Sequence, residues 1–107
     1  MITKTLDQHK AEKIISFDLA GKSDVADKMI VASGTSSRHV ATLAEYIITA
    51  LKKIGYESVP NEGRETGDWV LVDAGDIIVH IFKPEIREMY NLEKMWSTKM
   101  PEAEIAL

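Results

Sequence analysis

Apolar and polar positions alternate with different periods along the chain, and each change of period marks an element. Residues 3 to 13 carry a thin apolar face, Leu6 and Ala11 with Ile14 just beyond, which predicts a short polar helix capped by Thr3. In "IISFDLAGKS", Ile15, Phe17 and Leu19 alternate with Ser16, Asp18 and Ala20, the period of a half-buried strand. Gly21-Lys22-Ser23 then breaks it. "KMIVAS", residues 28 to 33, is apolar without alternation and predicts a strand covered on both faces.

"GTSSRHVATLAEYIITALKKIG" is the clearest helix. Val40, Leu43, Ala44, Ile47, Leu51 and Ile54 form one stripe, and Thr35 or Ser36 is the N-cap. Lys52 and Lys53 complement the C-terminal dipole, and Gly55 occupies the C′ position. "YESV" predicts a short strand and "PNEGRETGD" a loop. "DWVLVDAGDIIVHIFKP" predicts a hairpin, and Pro84 starts a last helix, "EIREMYNLEKMW". The order implies an α/β fold, a mixed β-sheet of about five strands flanked by helices, with a right-handed crossover after residues 28–33. Residues 1–96 form the single expected domain, and 97–107 a frayed tail.

Register decides which hairpin residues share a face. A two-residue turn at Ala74-Gly75 fits neither primed turn type, so a three-residue loop, Asp73-Ala74-Gly75, is expected. It pairs Val72 with Asp76 and Val70 with Ile78, and brings Asp68 near His80. Trp69, Leu71, Ile77, Val79 and Ile81 then form an apolar face against helices. His80 lies on the opposite, mixed face as a half-buried, hydrogen-bonded residue. Asp73 and Asp76 are turn acids.

Composition narrows the possible functions. The chain has 107 residues, enough for one domain with its own core, and no cysteine, which excludes disulfides and thiolate metal sites. No apolar run approaches the roughly 20 residues that span a bilayer, and the N-terminus lacks a signal-peptide core, so a cytoplasmic location and no membrane partner are expected. A net charge of −4 suits a basic partner and offers no dedicated nucleic-acid site.

The search for chemistry finds little. His9, His39 and His80 fall in three elements with no metal-ligand spacing, and no cofactor or metal is expected. "SGTSSRH" resembles the glycine-hydroxyl turn of nucleotidyltransferases, whose helix N-terminus holds phosphate. The D-x-D pair such enzymes need for magnesium is missing from the strands that follow. A nucleotide-binding protein with that degenerate site is the alternative reading. The last helix carries Met89, Tyr90, Leu92, Met95 and Trp96 among Glu85, Glu88 and Glu93. These residues serve either as a recognition patch or as a clamp to the core, and exposed aromatics also suit a homodimer.

Three segments together, "GTSSRHV", "DWVLVDAGDIIVHIF" and "REMYNLEKMW", resemble the ribosomal silencing factor family, also called Iojap. The match runs from about Leu6 to Trp96 in order and spacing. The resemblance implies a nucleotidyltransferase-like sheet without the catalytic acids, and no enzymatic activity. It implies binding to protein fourteen of the large ribosomal subunit, which sterically blocks joining of the small subunit and represses translation. Carried over by motif, the partner-binding residues are Trp69, Tyr90, Leu92, Glu93 and Trp96. Ala74 stands where a larger residue is common, and Asn61 enters what is often a Val-Glu-Gly turn. A partner-binding Trp69 conflicts with the core face that the expected register gives it.

Overall fold

The two strands whose sequences are apolar on both faces lie side by side at the centre of one sheet. The computed structural model describes residues 1–19 and 26–90, the side chains of 88–90 excepted. Its elements are α1 (Ile2–Gln8), β1 (Glu12–Asp18), β2 (Lys28–Ser33), α2 (Ser37–Lys53), β3 (Asn61–Glu62), β4 (Trp69–Asp73), β5 (Ile77–Phe82) and α3 (Pro84–Tyr90). The sheet order is β1-β2-β5-β4-β3. β2 and β5 pair in parallel, Lys28 beside Ile77 through Ser33 beside Phe82, and the other pairs are antiparallel. This is the expected mixed five-stranded α/β sheet flanked by helices.

Central position explains composition. Ile30, Ala32, Val79 and Ile81 face α1 and α2, where they pack with Leu6, Val40, Leu43 and Ile47. Met29, Val31 and Phe82 face the opposite way and join Leu19, with Phe17, Trp69 and Ile86 at the margin. A strand covered on both sides has no wet face, so β2 and β5 read as continuous apolar runs.

α2 follows the predicted stripe. Ser36 is its N-cap and accepts a hydrogen bond from His39 N at 3.1 Å. Its C-terminus closes with Gly55 N donating to Lys52 O and Tyr56 N donating to Leu51 O, the paired bonds of a Schellman motif. Ile54 departs from the stripe: it is the C-cap residue and 63% exposed. Ile48 is buried instead.

Two other boundaries differ from the periodic reading. α1 ends at Gln8, because Lys10 turns left-handed at φ 69 and Ala11 N donates to Leu6 O. Residues 12 to 14 thereby join β1, whose pairing with β2 is irregular between Glu12 and Ile15, with Lys13 at φ 49. A bulge bearing charge on an edge strand discourages pairing with another chain. The edge strand beside β4 is Asn61–Glu62, not residues 56–59, of which Val59 is buried in the helix-side core.

The hairpin register corrects the expected one. Val72 pairs with Val79 and Asp73 with Ile78, and Ala74 N donates to Ile77 O at 2.9 Å. The loop is therefore Gly75-Asp76. Gly75 has φ 81 and Asp76 is not among the positive-φ residues, as a type II′ turn requires of its first and second positions. Asp73 Oδ1 accepts from Gly75 N at 2.9 Å, which fits its role as a turn acid. Val72 moves three positions along β5, from Asp76 to Val79, and an odd shift exchanges faces. Val70, Val72, Val79 and Ile81 now bury together under the helices, and Trp69 joins His80 and Phe82 on the other side.

The approach to β4 is set by Gly67, at φ 71, where an added Cβ would lie 2.3 Å from Ser37 O. Gly67→Ala is expected to destabilise the protein by about 2 kcal/mol or more, through backbone strain and overlap together. Gly75→Ala, with only Tyr56 Oη within reach at 3.9 Å, should cost about 1 kcal/mol from strain alone. Urea unfolding midpoints of the two variants provide the comparison.

Candidate functional site

The sheet face away from α1 and α2 gathers the residues with the most distinctive chemistry. Trp69 opens β4 and pairs with Phe82, while His80 pairs with Leu71. This register sets Trp69 and His80 as diagonal neighbours on one face. The indole Nε1–H donates to His80 Nδ1 at 2.9 Å. The Trp69 ring also meets Phe82 edge-on, with centroids 4.9 Å apart at 86°. Trp69 is half-buried: its inner side belongs to the apolar cluster and the rest reaches the exterior.

His80 is only 1% exposed, more deeply placed than its half-buried expectation. Accepting at Nδ1 puts the proton of the neutral ring on Nε2, an atom without a hydrogen-bond partner among the described residues. Burial disfavours the charged imidazolium and lowers the pKa to about 4. Burial thus favours the neutral ring, with Nδ1 accepting from the indole.

α3 closes the end of this face. Ile86 packs on the cluster, and Arg87, 4% exposed, donates from Nη1 to Ser33 Oγ at 2.8 Å. Guanidinium charge is permanent, so its burial demands such bonds. The bond ties α3 to the end of β2. Arg87 stands in the R-x-x-Y-x-L-E-x-x-W motif, but the periodic reading gave it no role. A polar residue next to Ile86 was the signal available.

At the rim, Lys83 Nζ lies 3.0 Å from Asp68 Oδ1, and Lys83 N donates to Asp68 O. The Asp68 hydrogen bond raises the Lys83 pKa. This pair closes the open end of the hairpin beside Trp69.

Part of the glycine-hydroxyl turn serves its own fold. Thr35 N donates to His39 Nδ1 at 2.9 Å, and His39 Nε2 bonds His9 O at 2.9 Å. Together with the Ser36 cap, these bonds commit the amides of Thr35 and His39 internally. His9 stacks on Tyr46, with centroids 3.5 Å apart. Among the described residues no group of three or more His, Cys, Asp or Glu could hold a metal ion. No helix is long and apolar enough to cross a membrane, again among the described residues.

Of the five residues the motif singles out, Trp69 is described in full. Tyr90 is the last residue of α3, its side chain outside the described set. Leu92, Glu93 and Trp96 lie outside the described residues. The structure therefore assembles Trp69, His80, Phe82, Ile86, Arg87 and Ser33 at one end of one face. His80 and Arg87 were missing from the sequence-based set.

The family model for ribosomal silencing factor during starvation matches residues 1–106. Ribosomal silencing factor RsfS of Haemophilus influenzae is 48% identical over 96 residues, covering 90% of this chain and 94% of that protein. The mouse protein named for mitochondrial assembly of the ribosomal large subunit is 31% identical over 109 residues, covering 99% of this chain and 48% of its own. A crystal structure of a Chromobacterium violaceum protein superposes with a TM-score of 0.86 at 37% identity, covering 98% of this chain and 88% of that one.

The buried neutral histidine gives stability a definite pH dependence. His80 protonates near pH 6.5 in the unfolded chain and near 4 in the folded one. The unfolded state binds the extra proton between those values, so the stability linked to neutral His80 is complete above pH 6.5. It is lost as pH falls toward 4. Unfolding free energy is expected to drop by about 2 kcal/mol between pH 7 and 4.5 from this group. His80→Leu should flatten that part of the profile, measured by urea unfolding at each pH.

Proposed function

The chain belongs to the ribosomal silencing factor (RsfS) family, and we propose that it binds the large ribosomal subunit through protein fourteen and blocks joining of the small subunit. Translation is repressed by occupation of space, with no reaction behind it. The observation that carries this reading is the half-buried Trp69 at the rim of the sheet, held by His80 and Phe82. Trp is the residue most suited to anchor an interface, because it buries large area with few rotors. Its position at the margin of the sheet face opposite α1 and α2 supports a contact role. The mouse relative's name supports the large subunit as the target.

Tyr90, at the end of α3, and Leu92, Glu93 and Trp96, which follow in sequence, complete the contact set by the family motif. Arg87 seats the helix that leads to them. The net charge of −4 suits a basic ribosomal protein and speeds encounter more than it adds affinity.

Trp69→Ala is expected to weaken binding to purified large subunits by about 2 kcal/mol, roughly thirtyfold. Density-gradient sedimentation of mixed subunits provides the functional measure. The wild-type chain at saturation should leave subunits apart, and the variant should let whole particles form. Whole particles forming at saturating wild-type chain would end this reading.

A further inference from the structure

We propose that His80 is a positioning residue that holds the Trp69 ring in its docking orientation before the partner arrives. The inference rests on the reading of Trp69 as the partner anchor and adds a residue that never touches the partner. A tryptophan opening a strand at the rim of a sheet has several rotamers and loses that freedom on binding. Among the described residues, His80 and Phe82 restrict it beforehand. Phe82 presents an edge-to-face ring, and His80 Nδ1 accepts the indole N–H.

The hydrogen bond is exclusive because of where His80 sits. The imidazole is 1% exposed, two residue pairs inward from the Trp69–Phe82 pair, so water cannot replace the indole as donor. Turning Trp69 away would strand Nδ1 in an apolar surrounding, which is costly. His80 also sits on β5, clamped between β2 and β4, so the acceptor itself does not move. A histidine serving only as core filling would affect stability alone. One that fixes Trp69 affects affinity at constant fold.

Two substitutions separate these roles. His80→Leu keeps nearly the volume and removes the acceptor. His80→Asn keeps an acceptor oxygen at the place of Nδ1 but leaves a void, so it is the less favourable for stability. Each is measured for unfolding midpoint, for hydrogen exchange of the Trp69 indole N–H by nuclear magnetic resonance (assigned in a Trp96→Phe background), and for affinity to purified large subunits. His80→Leu is expected to lose indole protection and bind about three- to tenfold more weakly, the cost of freezing one interface side chain. His80→Asn should keep protection and bind within about twofold of wild type, despite its lower midpoint.

Wild-type affinity in His80→Leu with an unprotected indole would overturn the proposal. So would affinities that simply follow the two midpoints. If His80→Leu does not fold, Trp69→Phe decides, since it removes the donor and leaves an aromatic ring: undiminished binding overturns the positioning role. Undiminished binding by Trp69→Ala would instead remove the anchor reading, and the positioning role with it.

Discussion

Parallel pairing of Lys28–Ser33 with Ile77–Phe82 is the constraint on which the molecule depends. It places two non-consecutive strands at the centre of the sheet and forces the chain between them to cross over through α2 and return through β3 and β4. It also gives each central strand two dry faces, so apolar material must be supplied on both sides of the sheet. On one side α1 and α2 supply it. On the other, β1 supplies Phe17, the residue after that strand Leu19, β4 Trp69 and α3 Ile86.

The two sides solve this differently. The helix side is built from aliphatic residues that interdigitate without polar atoms, such as Val70, Val72, Val79 and Ile81 against Val40, Leu43 and Ile47. The other side accommodates Ser33, His80 and Arg87, the three buried polar residues among those described. Each is bonded to a residue of another element: His80 to Trp69 and Arg87 to Ser33. Such bonds add little net stability, but leaving one partner unpaired is costly. They therefore select one arrangement of β4, β5 and α3 over others of similar packing. One arrangement of the rim results, fixed by hydrogen bonds between elements.

Family membership and geometry bear on different questions. Similarity over nearly the whole chain establishes the kind of protein this is. The structure indicates how the recognised motif is used. Its Gly-Thr-Ser-Ser segment caps a helix and ties His39 to the end of α1, its Asp-Trp segment delivers an indole to a rim, and its Arg clamps the last described helix. In the hydroxyl-rich turn that suggests phosphate binding, the amides of Gly34, Thr35 and His39 are already bonded inside the protein and are not offered to a ligand.

Sequence alone determined the elements whose signals are local. The 3.6-residue stripe, a cap at Thr35 or Ser36 and the lysines with Gly55 located α2, and continuous apolar runs located β2 and β5. Each depends only on neighbours within a turn or a strand. The family motif likewise lies in the residues themselves, and Trp69 with it. Tertiary structure alone decided the hairpin register, because Gly75-Asp76 and Asp73-Ala74-Gly75 are both plausible loops. Only the joint burial of Val70, Val72, Val79 and Ile81 under two helices distinguishes them. It also decided the length of α1, where a left-handed Lys10 ends a helix that polarity would have let continue. Finally, it decided the roles of His80 and Arg87. A polar residue inside an apolar run has no readable partner until a distant strand brings one within 3 Å, as Trp69 and Ser33 do here.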